Sequence, residues 1–308
     1  MADVIEHPDS AGQPSPSQSP VPVPPAYSWP QGQPVPPPRR KWRPWLVVAA
    51  AGWAVLLLVI TYVSARDDVP TVREQHDIAQ ASPVVERAIA ALVAAAGPDV
   101  VVELSTPRLE EGCELSLVWE GATLERDVTF RTRETDDRPL LSRIGLALPA
   151  SYRATVRPAT GTFRADAGEF VAIKGGVTDP GVVKLTASTG CRPSSPDFAV
   201  DDQPLTALPI DGEPARVLAA LGVTDRDPVN RVTVPCSGNG SMHTARSVGR
   251  GALSASLDAT LRPLAGADAV VLAEQPDRYA YRSGPLSVVV EAVDGEIRVT
   301  TTSVDCTG

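Results

Sequence analysis

The chain has 308 residues, 43% of them hydrophobic and 21% charged, with a formal net charge of −9 and four cysteines. That length and apolar content exclude a wholly disordered chain and allow more than one domain. The acidic balance sits after residue 64, where 24 Lys+Arg face 34 Asp+Glu; a surface of that sign argues against nucleic acid as partner.

Residues 1–44 hold 13 prolines, with Ser, Gln and Gly between them and no apolar period. Such a segment buries too little surface to offset its ordering entropy and is expected to be disordered, with polyproline II character. Pro34-Val35-Pro36-Pro37-Pro38-Arg39 has the spacing that suits aromatic-lined polyproline grooves, and Tyr27 and Trp29 are the aromatics nearby. A cytoplasmic partner for this tail is therefore one expectation, and a solvated spacer the plainer one.

Trp45–Ser64 runs twenty residues without a charge. At ~1.5 Å per residue that matches the ~30 Å hydrocarbon core of a bilayer. Arg39, Arg40, Lys41 and Arg43 precede it and only Arg66 follows closely. Cations are retained on the cytoplasmic side, so the expected form is a single-pass anchor in the cell membrane, N-terminus inside and C-terminal region outside. Val63-Ser64-Ala65 loosely fits a signal-cleavage pattern, but the apolar run starts late and exceeds the usual ~7–15 residues.

A stalk over 65–81 leads to two tandem copies of a small α+β domain, over 82–192 and 211–308, with 193–210 as linker. The first copy opens with a helix between Ser82 as cap and Gly97 as stop, Pro83 taking the first helical position and Val85, Ala88, Ile89, Leu92, Val93 and Ala96 forming one apolar face. Strand-like runs follow at Val100–Leu104, Glu114–Trp119 and Asp127–Arg131. Then come a helix at Leu140–Leu148 and runs at Tyr152–Val156, Glu169–Lys174 and Val182–Ser188, the last two joined by a Thr178-Asp179-Pro180-Gly181 turn. The second copy repeats the order. Asp211 caps a helix that Gly222 ends, strands follow at Arg231–Val234 and Ser241–Val248, and a helix at Ala252–Leu261. Leu286–Ala292 and Glu296–Val304 close it as a hairpin around Asp294-Gly295. In that hairpin Leu286, Val288, Val290 and Ala292 share one face with Ile297 and Val299, and the other face is expected to be more polar.

All four cysteines follow the apolar span. In an oxidising compartment an even count reads as disulfides. Each copy has one cysteine after its first helix and one after its last strand, so equivalence pairs Cys113 with Cys191 and Cys236 with Cys306.

The chemistry-bearing patterns are absent from the sequence: no Cys-x-x-Cys, no His-x-x-x-His, no Gly-x-Ser-x-Gly, no phosphate-binding glycine loop and no calcium loop. No catalytic, metal or cofactor residue is expected. His243 is the one histidine inside an expected domain, beside a Gly238-Asn239-Gly240-Ser241 hairpin turn; Glu110-Glu111, Asp136-Asp137 and Asp201-Asp202 are adjacent loop acids. The expectation is a membrane-anchored extracytoplasmic binding or scaffold protein of a bacterial-type cell envelope. It would contact bilayer lipid and an unknown envelope protein or polymer. The alternative is an enzyme acting on envelope polymer with acids meeting between the copies.

Overall fold

The computed structural model describes residues 44–67, 76–116, 119–195, 198, 212–251, 253 and 255–307. The expected tail up to residue 43 and most of the linker lie outside them, as do residues 68–75 of the expected stalk. The chain divides into two units, Met1–Ser64 and Ala65–Gly308.

In the first unit the expected span is helical. Helix α1 (Pro44–Asp67) carries the apolar run, and the side chains of Val48–Thr61 are all exposed, Leu58 by 69% and Trp53 by 65%.

The second unit is α+β, with two antiparallel seven-stranded sheets. Helix α2 (Ile78–Ala96) comes first. It starts four residues before the expected Ser82 cap, because Asp77 and Gln80 form a reciprocal capping box. Pro83 consequently sits inside the helix. By length and composition α2 also passes as a helix able to cross a membrane, yet eleven of its side chains are buried in the domain.

The first sheet contains β1 (Val101–Leu104), β2 (Arg108–Ser116), β3 (Trp119–Arg131), β4 (Thr155–Arg157), β5 (Thr162–Asp166), β6 (Ala172–Asp179) and β7 (Val182–Arg192). Its order is β1-β3-β7-β6-β5-β4, with β2 also on β3. The run expected as one strand at Glu114–Trp119 is divided: Glu114–Ser116 ends β2, Trp119 begins β3 and pairs with Ser116, and Leu117 and Val118 lie outside the described residues. Helix α3 (Asp137–Ala147) lies between β3 and β4. Together α2 and α3 cover Val128, Phe130, Phe163, Ile173, Val183, Leu185 and Ala187.

The second sheet contains β8 (Asp225–Arg226), β9 (Asn230–Pro235), β10 (Asn239–Arg250), β11 (Val270–Gln275), β12 (Arg278–Ser283), β13 (Leu286–Val293) and β14 (Glu296–Thr307). Its order is β8-β10-β14-β13-β12-β11, with β9 also on β10, the same arrangement as the first sheet, strand for strand. Helices α4 (Gly212–Ala220) and α5 (Leu257–Ala265) occupy the places of α2 and α3 and bury Val217, Leu218, Leu257 and Leu261 against Tyr279, Tyr281, Val288, Val290, Ile297 and Val299. The helix expected at Ala252 begins at Leu257, where Ser256 supplies the cap. β13 and β14 turn through Asp294 (φ 53°) and Gly295 (φ 79°), the left-handed pair that a tight hairpin requires. The sequence reading had no strands where β11 and β12 lie.

Each sheet carries one disulfide, Cys113–Cys191 on the first and Cys236–Cys306 on the second, with Cα atoms 5.8 and 5.7 Å apart. These are the pairs expected from the spacing. Each ties the end of a last strand to an early one.

The outer face of the second sheet is the more polar one, with Ser287, Glu291, Thr244, Arg246 and Thr302 on it, but it is not open to solvent. That face, turned from α4 and α5, is covered by the first half. Val232, Val234 and Met242 join the core around α2, and Leu272, Ala280 and Val289 close over Val101 of β1. The reason is composition: Val289 and Ala280 alternate with the inner-face residues, leaving apolar surface on both sides of the strand.

Candidate functional site

The place to look for a site is the joint between the two sheets, where charged side chains converge. It is built on the free edge of β1. A sheet edge presents unpaired N–H and C=O groups that must find partners when buried. Here the second half supplies them as side chains. The N–H of Val102 donates to Ser287 Oγ at 3.1 Å, the C=O of Val100 accepts from Arg282 Nη1 at 2.9 Å, and the C=O of Leu104 accepts from Arg246. Val100, Val102 and Leu104 alternate, so all three groups point the same way along the strand.

Two guanidinium groups anchor the ends of this joint. Arg131 lies between Glu103 (2.6 Å) and Glu291 (2.7 Å), joining the halves, and Glu291 also accepts from Arg278 at 3.1 Å. Burial lowers the pKa of Arg131, and the charges of Glu103 and Glu291 more than reverse that, so it ends raised. Arg126 is buried beside Glu86 of α2 and donates to the carbonyls of Ser105 (3.2 Å) and Thr233 (3.4 Å). Burial raises the Glu86 carboxyl against the pull of Arg126, and Glu86 Oε2 is buried without a hydrogen-bond partner. Burial likewise lowers Arg126 and Arg246, the loss being partly offset by neighbouring carboxylates.

Such carboxylates are poorly placed for acid–base work on a polymer. Glycoside chemistry needs two carboxyl groups flanking a sugar; between Glu103 and Glu291 stands the guanidinium of Arg131. The cavity at the rim, lined by residues including Arg131, Glu134, Glu274 and Arg278, has a volume of about 100 Å³. Ligand pockets run to ~300–1,000 Å³, so this one has room for a few waters.

Among the described residues none of the candidates from the sequence is a member of the joint's ion pairs. His243 is on β10 opposite Thr233, its Nδ1 3.1 Å from the threonine hydroxyl. The Gly238–Ser241 run is split, since β10 already begins at Asn239. Glu110 and Glu111 are exposed on β2 rather than in a loop, Asp136 and Asp137 open α3, and Asp201 and Asp202 lie outside the described residues. Among the described residues no group of three or more His, Cys, Asp or Glu could hold a metal, and no cysteine is free.

Sequence reasoning missed the arginines. Arg131 and Arg246 each follow an inward-facing residue on a strand, and Arg126 stands between Glu125 and Asp127, all of which reads as solvated surface. Arg192 was also missed; it is fully buried and donates to the carbonyls of Thr189 (3.1 Å), His76 (2.9 Å) and Glu169. No local pattern distinguishes a buried arginine from an exposed one.

Compared with family models, with curated proteins and with solved structures, the chain has no match in any of the three.

Proposed function

We propose that the chain is a single-pass membrane-anchored protein of a bacterial-type cell envelope, whose outer region binds or scaffolds an envelope protein or polymer. One observation carries this reading: α1 leaves the side chains of Val48–Thr61 exposed, with no charge from Trp45 to Ser64. An apolar surface of that extent needs a cover, and hydrocarbon supplies it. The four cations before the span set the N-terminus inside. Two disulfides suit an outer region in an oxidising compartment.

The outer region is read as two copies of one domain. The identical strand order, the equivalent helices and the matched disulfides support this. Because the joint's carboxylates face guanidinium groups, no observation favours the enzyme alternative. The test is a pair of fusions to a reporter that folds only in an oxidising compartment. A C-terminal fusion should be active and an N-terminal fusion silent; the reverse pattern would overturn the topology.

A further inference from the structure

Strand β11 ends the second sheet on the side away from β8, and it pairs with β12 alone. Among the described residues the backbone of Val270–Gln275 makes no hydrogen bond outside that ladder. Its other side therefore offers a row of N–H and C=O groups to a further strand. The sequence does little to close this edge. Val270, Val271, Leu272 and Ala273 carry no charge, the strand holds no proline, and Val270 is 44% exposed. The equivalent edge of the first sheet, β4, is only three residues long, with Arg157 at its end and Pro158 directly after it.

The strand also has a cavity on each face. Val271 lies opposite Tyr281 on the helix-covered face, where it joins Pro263, Ala265, Gly266 and Ala269 around a cavity of about 360 Å³. That volume falls within the ~300–1,000 Å³ of ligand pockets. Apart from Arg262, ion-paired with Asp258 and Glu274, its walls are apolar side chains and glycine. Leu272 and Ala273 lie on the other face with Ala280 and Val289, and there the rim cavity of about 100 Å³ runs along Leu272–Gln275. An added strand points successive side chains to alternate faces, so one set meets the apolar cavity and the other the polar one.

We propose that β11 is a docking edge for a short extended segment of a partner protein, in which apolar residues alternate with lysine or arginine. Charge at the polar cavity selects the cation. Its own arginines, Arg131 and Arg278, are engaged by Glu103 and Glu291, and Glu274 is engaged by Arg262. Glu134, on the same rim, is exposed and has no partner among the described residues. A cationic head entering there displaces a few waters and gains Glu134 as its counter-charge. Main-chain bonds to β11 supply affinity, and the two cavities choose the side chains. A second copy of this chain does not fit, because its own β11 carries Glu274 and no cation and would bring another acid to the rim. The bulge at Leu272 interrupts the regular run, which suits a short segment better than a long strand.

This inference deepens the binding role proposed for the outer region and rests on that reading for the partner being an envelope protein, but its test does not depend on topology. The full-length chain in neutral detergent is titrated with the hexapeptide acetyl-Lys-Val-Lys-Val-Lys-Val-amide, with its glutamate counterpart, and with the lysine peptide N-methylated at every backbone amide. The lysine peptide should bind, with affinity falling as salt rises, and should slow hydrogen exchange in Val270–Gln275. The N-methylated peptide, unable to donate to the edge, should not bind. E134K should weaken the lysine peptide roughly tenfold or more and improve binding of the glutamate peptide. R157A, on the first sheet, should change neither. Because Glu134 is exposed, E134K should keep the parent Tm. Absence of lysine-peptide binding, equal binding by E134K, equal binding of the glutamate or N-methylated peptide, or unchanged exchange in Val270–Gln275 would each overturn the proposal. None of those outcomes would touch the reporter-fusion result.

Discussion

Ser287 of β13 accepts a hydrogen bond from the backbone N–H of Val102 on β1, 185 residues away in sequence, at 3.1 Å and out of contact with water. Ser287→Ala would leave that N–H buried with no partner. A buried unsatisfied group costs about 1–3 kcal/mol, well above the net value of an ordinary hydrogen bond. Urea unfolding should therefore show a lower midpoint with an unchanged slope.

Arg131 holds the two halves through Glu103 and Glu291, with its own side chain only 8% exposed. Removing one partner of a buried pair costs about 3–5 kcal/mol, because the remaining charge is stranded. Arg131→Ala should fall in that range. Removing Glu291 from the Arg131→Ala background should then cost less than removing it from the parent, a coupling that a double-mutant cycle measures directly.

Asp127 supplies a pH dependence with a definite sign. Burial pushes its carboxyl up, but the hydrogen bonds from Arg108, Lys184 and Thr186, with the charge of Arg108, overcome this and hold the pKa at about 2. An acid depressed in the folded state stabilises it above the unfolded value near 3.8 and loses that contribution as pH falls toward 2. Stability followed from pH 5 to pH 2 should decline across this window. Asp127→Asn should flatten the decline while lowering stability at neutral pH.

The halves should not separate cleanly. Residues 212–307 produced alone would expose Leu272, Ala280 and Val289 together with Val232, Val234 and Met242, all buried in the whole chain. Size-exclusion chromatography should find that fragment aggregated, and a monomeric, cooperatively folded fragment would show that the joint is dispensable.

Each disulfide closes a long loop, with sequence separations of 78 and 70. Replacing either pair by serines should cost about 2–5 kcal/mol. Calorimetry of the two double variants should show similar losses if the two sheets share their mechanics.

How far the sequence disclosed this structure follows from the range of each interaction. The β13–β14 hairpin was legible because Asp294-Gly295 and strict alternation are local signals. The cysteine pairing was legible because the same order of elements surrounds the cysteines of each half, and such a parallel carries long-range information. β11 and β12 were overlooked although Pro276-Asp277 marks a turn and Tyr279 and Tyr281 alternate; the run is short and its apolar residues lie on both faces. The start of α2 falls earlier than Ser82-Pro83 suggests, because the Asp77–Gln80 capping box supplies a stronger start and the helix accommodates Pro83 in its interior. The joint was not legible at all. Whether Val289 faces water or Val101, and whether Arg246 is solvated or meets Leu104, depends on a second sheet that no local window contains.

Helix α2 adds a constraint of timing. It lies near the start of the second unit, and its own sheet and disulfide can be complete once Cys191 has been made. One side of it, however, packs on Val232, Val234 and Met242, which are synthesised later. During synthesis the first half therefore waits with part of an apolar helix uncovered, next in the chain after the apolar segment of α1. Any delay between making the two halves prolongs that exposure, so the short interval before β9 is itself a safeguard against premature association.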